Sequence, residues 1–517
     1  METTKIKSFF QSSFILILGI AFIKLLIHLY TSGNYDYGWG ELFHLDLASH
    51  LDWGYVQFQP LTVIMTKIGL IIFGKSTLGI RIMPALAGTA TVIITGLLAQ
   101  ELGGKRFAQG LAALTVLIAP IILLSSTMLD TTAYEPFIWT GCAYALVLAI
   151  NRQNWKYLLL FGFLLGLGFE NKYNMFFWFF ALSLGLLFTQ ERKIFKNSLF
   201  WIACSISILL ILPNLIWQVN HKFPAIEFII YRLTDNDVIH LNLYKYLLDQ
   251  LIMLNPVTLP LIFAGLYFYL KNKSFRFLGL AYLIILALVF SLKGNKVYYI
   301  APVYPVLFAS GAVMLETWFL RTKHSLSLKI IFITILLFFA VIEAPLWIPL
   351  LSPENYIAYS QKIKLSPPPI WNFKQEGMPQ ILSGFFGMSK MTKTVSEFYN
   401  QLPQEEKAKT TIFTSNYGET AAINFLGQSY GLPRAISNTV DYYYFGPPNY
   451  YVENIIFVGG FVQPVFKQNC ASFDKVREAN LEYAPAFLNQ PLYYCKELKI
   501  PLNIIWPSIK NLGAFTG

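Results

Sequence analysis

The sequence predicts a polytopic all-α membrane bundle, with interfacial helices in its first outer loop and a small α/β domain at its C-terminal end. Three observations carry that prediction. Of the 517 residues, 55% are hydrophobic and only 13% are charged, about half the charged share of a soluble chain. Apolar stretches long enough to cross a bilayer recur through the first two-thirds of the chain. Beyond residue 351 the pattern changes to short apolar runs separated by turn residues.

In order, residues 9–30 form a first span, too long for a signal-peptide core and without a small-residue cleavage site. Lys24 and His28 sit near its far end, where long side chains snorkel to the interface. An acidic, aromatic stretch follows, YDYGWGELFHLDLASHLDWGYVQFQPL, over residues 35–61. Residues 56–74, broken by Pro60 and Lys67, read as an interfacial helix. Further spans are expected at 80–102, 107–126, 133–150, 155–169, 174–189, 198–217, 251–270, 275–292, 298–319 and 328–350. With the first, that makes about eleven. The chain divides at 351/352, and SPPP at 366–369 marks a linker. Strands are read at 409–415 and 453–459, with a helix at 419–427 between them, an α/β order.

Alternate short loops carry the basic residues, among them Lys105, Arg106, Arg152, Arg192, Lys273 and Lys329, while the opposite loops hold nearly every loop acid. The positive-inside rule makes the basic side cytoplasmic. An odd number of spans then puts residues 352–517 on the outer side, and the protein reads as a multi-pass protein of a bacterial cytoplasmic membrane with its working face outward. The net charge of +11 is explained by those loops. No basic run interleaved with aromatics appears, which argues against nucleic acid as a partner. Four cysteines make no disulfide framework. Cys470 and Cys495 pair in an oxidising compartment or stand as free thiols, and the sequence leaves both open. There is no P-loop, no HExxH, no paired CxxC and no zinc-like histidine spacing. No metal or cofactor is therefore expected, with a divalent cation left open.

The candidate site is the set of polar residues that converges on the outer face. A carboxylate cluster at a membrane rim is costly unless it is solvated or functional. Glu41 is the best candidate base, beside His44 and within helical reach of Asp46, the second catalytic candidate. Arg81, Lys172 and Lys296, cations from three loops on one face, are candidates to hold a phosphate. Asp130, Glu135, Glu170, Asn171, His44 and Tyr299 are candidate substrate contacts. Each has a structural alternative: Glu135 favours a helix N-terminus, Lys172 pairs with Glu170, and single cations anchor at interfaces.

The blocks GELFHLDLASHLDWGYVQFQPL, LGIRIMPALAG, AYEPFIWTGCAYAL, GLGFENKYNM, KVYYIAPVYPVLFASGAVMLE and TSNYGETAAINFLGQSYGLP, in this order along nearly the whole chain, resemble the family 39 glycosyltransferases. These are the dolichyl-phosphate-mannose protein mannosyltransferase-like enzymes of the GT-C superfamily, here most similar to the bacterial branch. The resemblance implies a GT-C bundle with an outward-facing site and a polyprenyl-phosphate-linked sugar as donor. It implies a lipid, glycan or protein acceptor, membrane lipids as surroundings, and inversion at the anomeric carbon. An acid of the first outer loop would deprotonate the acceptor hydroxyl. One departure stands out. The family usually shows Asp-Glu in that loop, and here the Asp position is Gly40, leaving Glu41 alone or with Asp36, Asp46 or Asp52 as substitute. That loss supports a second hypothesis, a non-catalytic isoprenoid-lipid-binding protein. A transporter is the third. The lack of an inverted repeat argues against it, and Glu343 late in the last span argues for it.

Overall fold

A computed structural model describes residues 2–234, 239–292, 296–370, 377–459, 464–489 and 491–513. Among the described residues, seventeen α-helices lie in the chain to residue 363: α1 Glu2–Thr31, α2 Trp39–Leu47, α3 Leu61–Phe73, α4 Thr77–Glu101, α5 Arg106–Ile118, α6 Pro120–Ser125, α7 Glu135–Asn151, α8 Tyr157–Phe169, α9 Met175–Leu187, α10 Ser198–Asn220, α11 Pro224–Thr234, α12 Leu243–Leu254, α13 Leu259–Lys271, α14 Arg276–Ser291, α15 Tyr304–Leu320, α16 Ser325–Trp347 and α17 Pro353–Ile363.

Every expected span falls on helix, but among the described residues only six helical segments are long and apolar enough to cross a membrane, or seven counting one bent pair. The count of about eleven is therefore not reproduced. Two expected spans are broken. Pro120 opens α6 and holds Ala119 extended, so residues 107–126 are two helices. Asn255, at φ +70°, and Pro256 turn α12 from α13 by 100°. Helices α8 and α9, 13 residues each, reach about 20 Å at 1.5 Å per residue, short of a hydrocarbon core of about 30 Å.

Lys24 and His28 do not snorkel, as the sequence suggested. Both are buried inside the bundle. The Lys24 ammonium donates to the Ile122 carbonyl at 3.5 Å, and His28 Nδ1 lies 3.3 Å from Thr127 Oγ1. The α1 helix lies against α4 and α5, so these side chains point inward toward α6 rather than along the lipid-facing surface.

The chain past Ser352 first lays α17 on α16: Tyr356 and Tyr359 donate their hydroxyls to the Leu346 and Ile342 carbonyls. Five strands follow, β1 Thr410–Thr414, β2 Ala435–Ser437, β3 Asn454–Val458, β4 Cys470–Glu478 and β5 Pro491–Leu498, in the order β2-β1-β3-β5-β4. β1 runs parallel to β2 and β3, and β5 runs antiparallel to both its neighbours. β1 and β3 are fully buried and rich in β-branched and aromatic residues, which is why the sequence displayed them. β2 has three residues and β4 is largely exposed, so neither gave a periodic signal. Cys470 and Cys495 form a disulfide between β4 and β5, while Cys142 and Cys204 stay free.

The short helix α2 belongs to the core of this sheet region. Leu42, Phe43 and Leu45 pack with Met388, Ile423 and Tyr442. Asp46 fastens the contact. It accepts from Asn424 Nδ2 at 2.8 Å, Tyr442 OH at 2.7 Å and Arg434 Nη2 at 3.0 Å. The Asp46→Ala variant leaves two buried donors unpaired, at a cost of about 2–5 kcal/mol. Its expected signature is a lower Tm in detergent and faster proteolysis of the sheet region; wild-type values for both would remove Asp46 from this role.

Candidate active site

The geometry begins with an ion pair. Gly38 precedes α2, and Glu41, in its first turn, reaches back to accept the Gly38 N–H at 2.8 Å. Arg81 lies in the first turns of α4, whose N-cap is Ser76. Its Nε and Nη2 grip the Glu41 carboxylate side-on at 2.9 and 2.7 Å. Nη2 also donates to the Asp36 carbonyl at 2.6 Å, and Nη1 to the Tyr35 and Ser32 carbonyls. Glu41 Oε1 accepts a fourth bond, from Leu129 N–H at 3.1 Å. Both side chains are 2% exposed, and the guanidinium lies over the Phe385 ring at 5.1 Å.

This arrangement corrects two sequence expectations. All five Arg81 N–H groups are committed inside the protein, so none is left for a lipid phosphate. Four bonds converge on the Glu41 carboxylate, so it has no free lone pair for an incoming hydroxyl. Glu41 is a positioning residue: it ties the first outer loop, α4 and the loop before Asp130 together. Asp46 is corrected on similar grounds, since its carboxylate faces Asn424, Arg434 and Tyr442.

Beside the pair lies a cavity of about 190 Å³, lined by Gly38, Trp39, Gly40, Glu41, residues 128–130, Glu135, Tyr298, Phe385 and Tyr417 among others. It draws on α2, the ends of α6 and α7, the turn before α15 and the sheet region. Asp130 enters it from the loop that caps the turn Thr131–Ala133: Oδ1 accepts from Thr132 N–H at 2.9 Å and Thr131 Oγ1 at 3.4 Å. The Thr132 side chain adds a further donor to this carboxylate, and among the described residues no cation forms a direct ion pair with it. Burial alone would push the Asp130 carboxyl up. The Lys172 ammonium, His44 and the Thr132 donors outweigh it and hold it below the usual carboxylate value, so it is ionised at neutral pH.

Lys172 pairs with Glu135 at 3.2 Å rather than with Glu170. The second Glu135 oxygen accepts from Asn174 Nδ2. Burial opposes the Lys172 charge, but the Glu135 and Asp130 carboxylates and Tyr299 overcome it and raise its pKa. Its ammonium lies 5.9 and 5.4 Å from the Tyr298 and Tyr299 ring centres, and the Lys296 ammonium lies 5.8 Å from Tyr298. The structure thus brings Asp130, Glu135, Lys172, Lys296 and Tyr299 to one corner. Lys293, three residues before Lys296, lies outside the described residues.

The remaining candidates are set back from the cavity wall. His44 lies flat on Phe58, with ring centres 4.6 Å apart. Its Nδ1–H donates to the Gly40 carbonyl at 2.8 Å, and burial pushes its pKa down. Glu170 is buried behind the site, its carboxyl pushed up to about 8 by desolvation. Asn171 is a strut and not a substrate contact: Oδ1 accepts from Thr62 Oγ1 and Nδ2 donates to the Thr131 carbonyl. Sequence reasoning passed over Trp39, Tyr298, Phe385 and Tyr417, the aromatic wall. Only the density of aromatics around residues 35–61 and 298–299 hinted at it.

Residues 59–217 match the family model described as dolichyl-phosphate-mannose-protein mannosyltransferase. The polyprenol-phosphate-mannose–protein mannosyltransferase of Corynebacterium glutamicum is 30% identical over 101 residues, 20% of this chain and 19% of that protein's length. ArnT from Cupriavidus metallidurans in the apo state superposes with a TM-score of 0.60 at 12% identity, covering 96% of this chain and 99% of that one. The same protein bound to undecaprenyl phosphate gives 0.61 at 12% identity, over 93% and 97%. AglB, the archaeal oligosaccharyltransferase of Archaeoglobus fulgidus, in complex with an inhibitory peptide and a dolichol-phosphate, gives 0.50 at 14% identity, over 88% and 70%. The family match thus lies inside the bundle, over residues 59–217, and the likeness to ArnT shows that nearly the whole chain has that protein's fold.

Proposed function

We propose that this protein transfers a sugar from a polyprenyl-phosphate donor to the hydroxyl of a lipid, glycan or protein acceptor, on the outer face of a bacterial cytoplasmic membrane. The observation that carries the reading is Asp130: an ionised carboxylate that accepts from Thr131 and Thr132 and has no direct ion pair among the described residues, in a cavity flanked by Lys172 and walled by aromatic rings. In a single inverting displacement Asp130 takes the proton of the acceptor hydroxyl, and the acceptor oxygen attacks the anomeric carbon. The bond from that carbon to the phosphate oxygen breaks, and the polyprenyl phosphate leaves with its electron pair. Lys172 and Lys296 meet the growing negative charge on the phosphate. Trp39, Tyr298 and Tyr417 offer apolar faces to a sugar ring. Glu135 holds Lys172 in place. The outward orientation is supported by the basic loops at the other end of the bundle and by the disulfide in the sheet region, a bond kept in oxidising compartments. The lipid-linked donor is supported by the likeness to ArnT, which has been seen with undecaprenyl phosphate.

A second reading, a lipid-binding relative without transfer, is favoured by position 40. A Cβ built on Gly40 meets no atom within 4 Å, so the place where the family carries an acid is open rather than refilled.

Asp130→Asn is expected to lower the transfer rate from a radiolabelled polyprenyl-phosphate sugar by about 10²–10⁴-fold while leaving polyprenyl-phosphate binding intact. Unchanged turnover would dismiss Asp130 as the base. Glu41→Gln leaves Arg81 buried without a counter-charge and is expected to cost about 3–5 kcal/mol of stability. It should be read in the melting temperature and in the yield of folded protein, with transfer retained by the molecules that fold. A normal melting curve with abolished transfer would return the base role to Glu41. If the wild type binds polyprenyl phosphate but transfers nothing, and Gly40→Asp restores transfer, the second reading stands.

A further inference from the structure

We infer that a groove at the far end of the bundle binds an anionic phospholipid, its headgroup phosphate held by Lys105, Arg106 and Lys329 and an acyl chain laid along α1 and α5. The groove, of about 530 Å³, lies where α1, α5, α15 and α16 meet, and Leu16, Leu111 and Leu114 form its apolar walls. Its three cations stand together at one rim. It is separate from the candidate active site: Arg81 and Glu101, near the two ends of α4, lie about 30 Å apart at 1.5 Å per residue, and Lys105 follows Glu101 by four residues.

The charge at the rim is unpartnered. Among the described residues no carboxylate pairs with the side chains of Lys105, Arg106 or Lys329; the Lys329 ammonium rests over the Phe107 ring at 5.0 Å. Glu316, the acid in the wall, is already engaged: it accepts the Lys105 and Ala108 N–H groups at 2.7 and 3.2 Å and so caps the first turn of α5. Three cations against one committed carboxylate make a positive rim over a hydrocarbon-like trough.

The occupant follows from that pairing. A free phosphate would leave the leucine walls uncovered. A zwitterionic headgroup would bring its own cation against three others. An anionic phospholipid satisfies both halves, and it is already at hand, because the outward sides of α1 and α16 expose Ile15, Leu18, Ile330 and Ile331 to the bilayer.

The test is native mass spectrometry of the full chain in detergent, titrated with phosphatidylglycerol or phosphatidylcholine of equal chain length. Wild type should hold phosphatidylglycerol about tenfold more tightly than phosphatidylcholine, and K105A/R106A/K329A should lose about tenfold or more of that affinity. R192A/K196A/K273A removes equal charge from other exposed basic residues of the same sequence class and should stay within about twofold of wild type. Leu114→Trp, which blocks the trough with the cations intact, should also release the lipid, and it decides the matter if the triple variant does not fold. Equal affinity for the two lipids, retention by either groove variant, or an equal loss in the control triple would overturn the inference.

Discussion

The ion pair of Glu41 and Arg81 is the constraint on which the outer end of the bundle depends. Two charges taken out of water are expensive, and they persist only where geometry and hydrogen bonds are complete. Here they are. The guanidinium closes on one carboxylate and three backbone carbonyls, and the carboxylate adds two backbone N–H groups. Those carbonyls belong to the chain leaving α1, and the N–H groups to the start of α2 and the loop before Asp130. One buried pair therefore fixes the relative positions of α1, α2, α4 and the cavity wall.

A second polar fastening works at the other end of α2. Asp46 reaches residues nearly four hundred positions later, and Val56 N–H donates to Asp441 Oδ1 at 2.7 Å. Nine residues of helix are thus pinned to the membrane helices at Glu41 and to the sheet region at Asp46. Tyr417 and Trp39, neighbouring rings of the cavity wall with centres 6.5 Å apart, are set by that double anchoring. Pocket walls drawn from separate layers need such an element between them, because side-chain placement to within a fraction of an ångström decides whether two substrates align.

What the sequence made legible follows from the same physics. Long apolar runs announce membrane helices, and each expected span is helical. Where they bend is less visible: Pro120 and Asn255-Pro256 interrupt runs that stay apolar on both sides, so hydropathy alone passes over them. The buried parallel strands β1 and β3 were readable and the short or exposed β2 and β4 were not. At the site, the sequence located the right loops but could not sort their acids. Glu41, Asp46 and Asp130 are alike as letters. They differ in partners that lie 40, 378 and 42 positions away, and those partners decide which carboxylate is consumed by structure and which faces the cavity. Asn171 was misjudged for the same reason, since Thr62 and Thr131 claim both ends of its amide.

The departure at Gly40 gains meaning from this sorting. On the proposed reading a base must meet two conditions: it must be ionised at the working pH, and it must not be locked into an ion pair. Glu41 fails the second condition however its charge is set, because Arg81 and two N–H groups occupy it. The family's acid at position 40 would stand one residue earlier on α2, over open space, and so would meet it. With glycine there, Asp130 is the carboxylate of the cavity wall that accepts from its neighbours Thr131 and Thr132 and has no direct ion pair among the described residues, while Lys172 and the Thr132 donors keep it charged. Glu135, the other carboxylate near Lys172, is claimed at both oxygens by Lys172 and Asn174. The absence of the acid at position 40 thus narrows the choice of base to a residue of the second outer loop, held in place by the same Leu129 backbone that leans on Glu41.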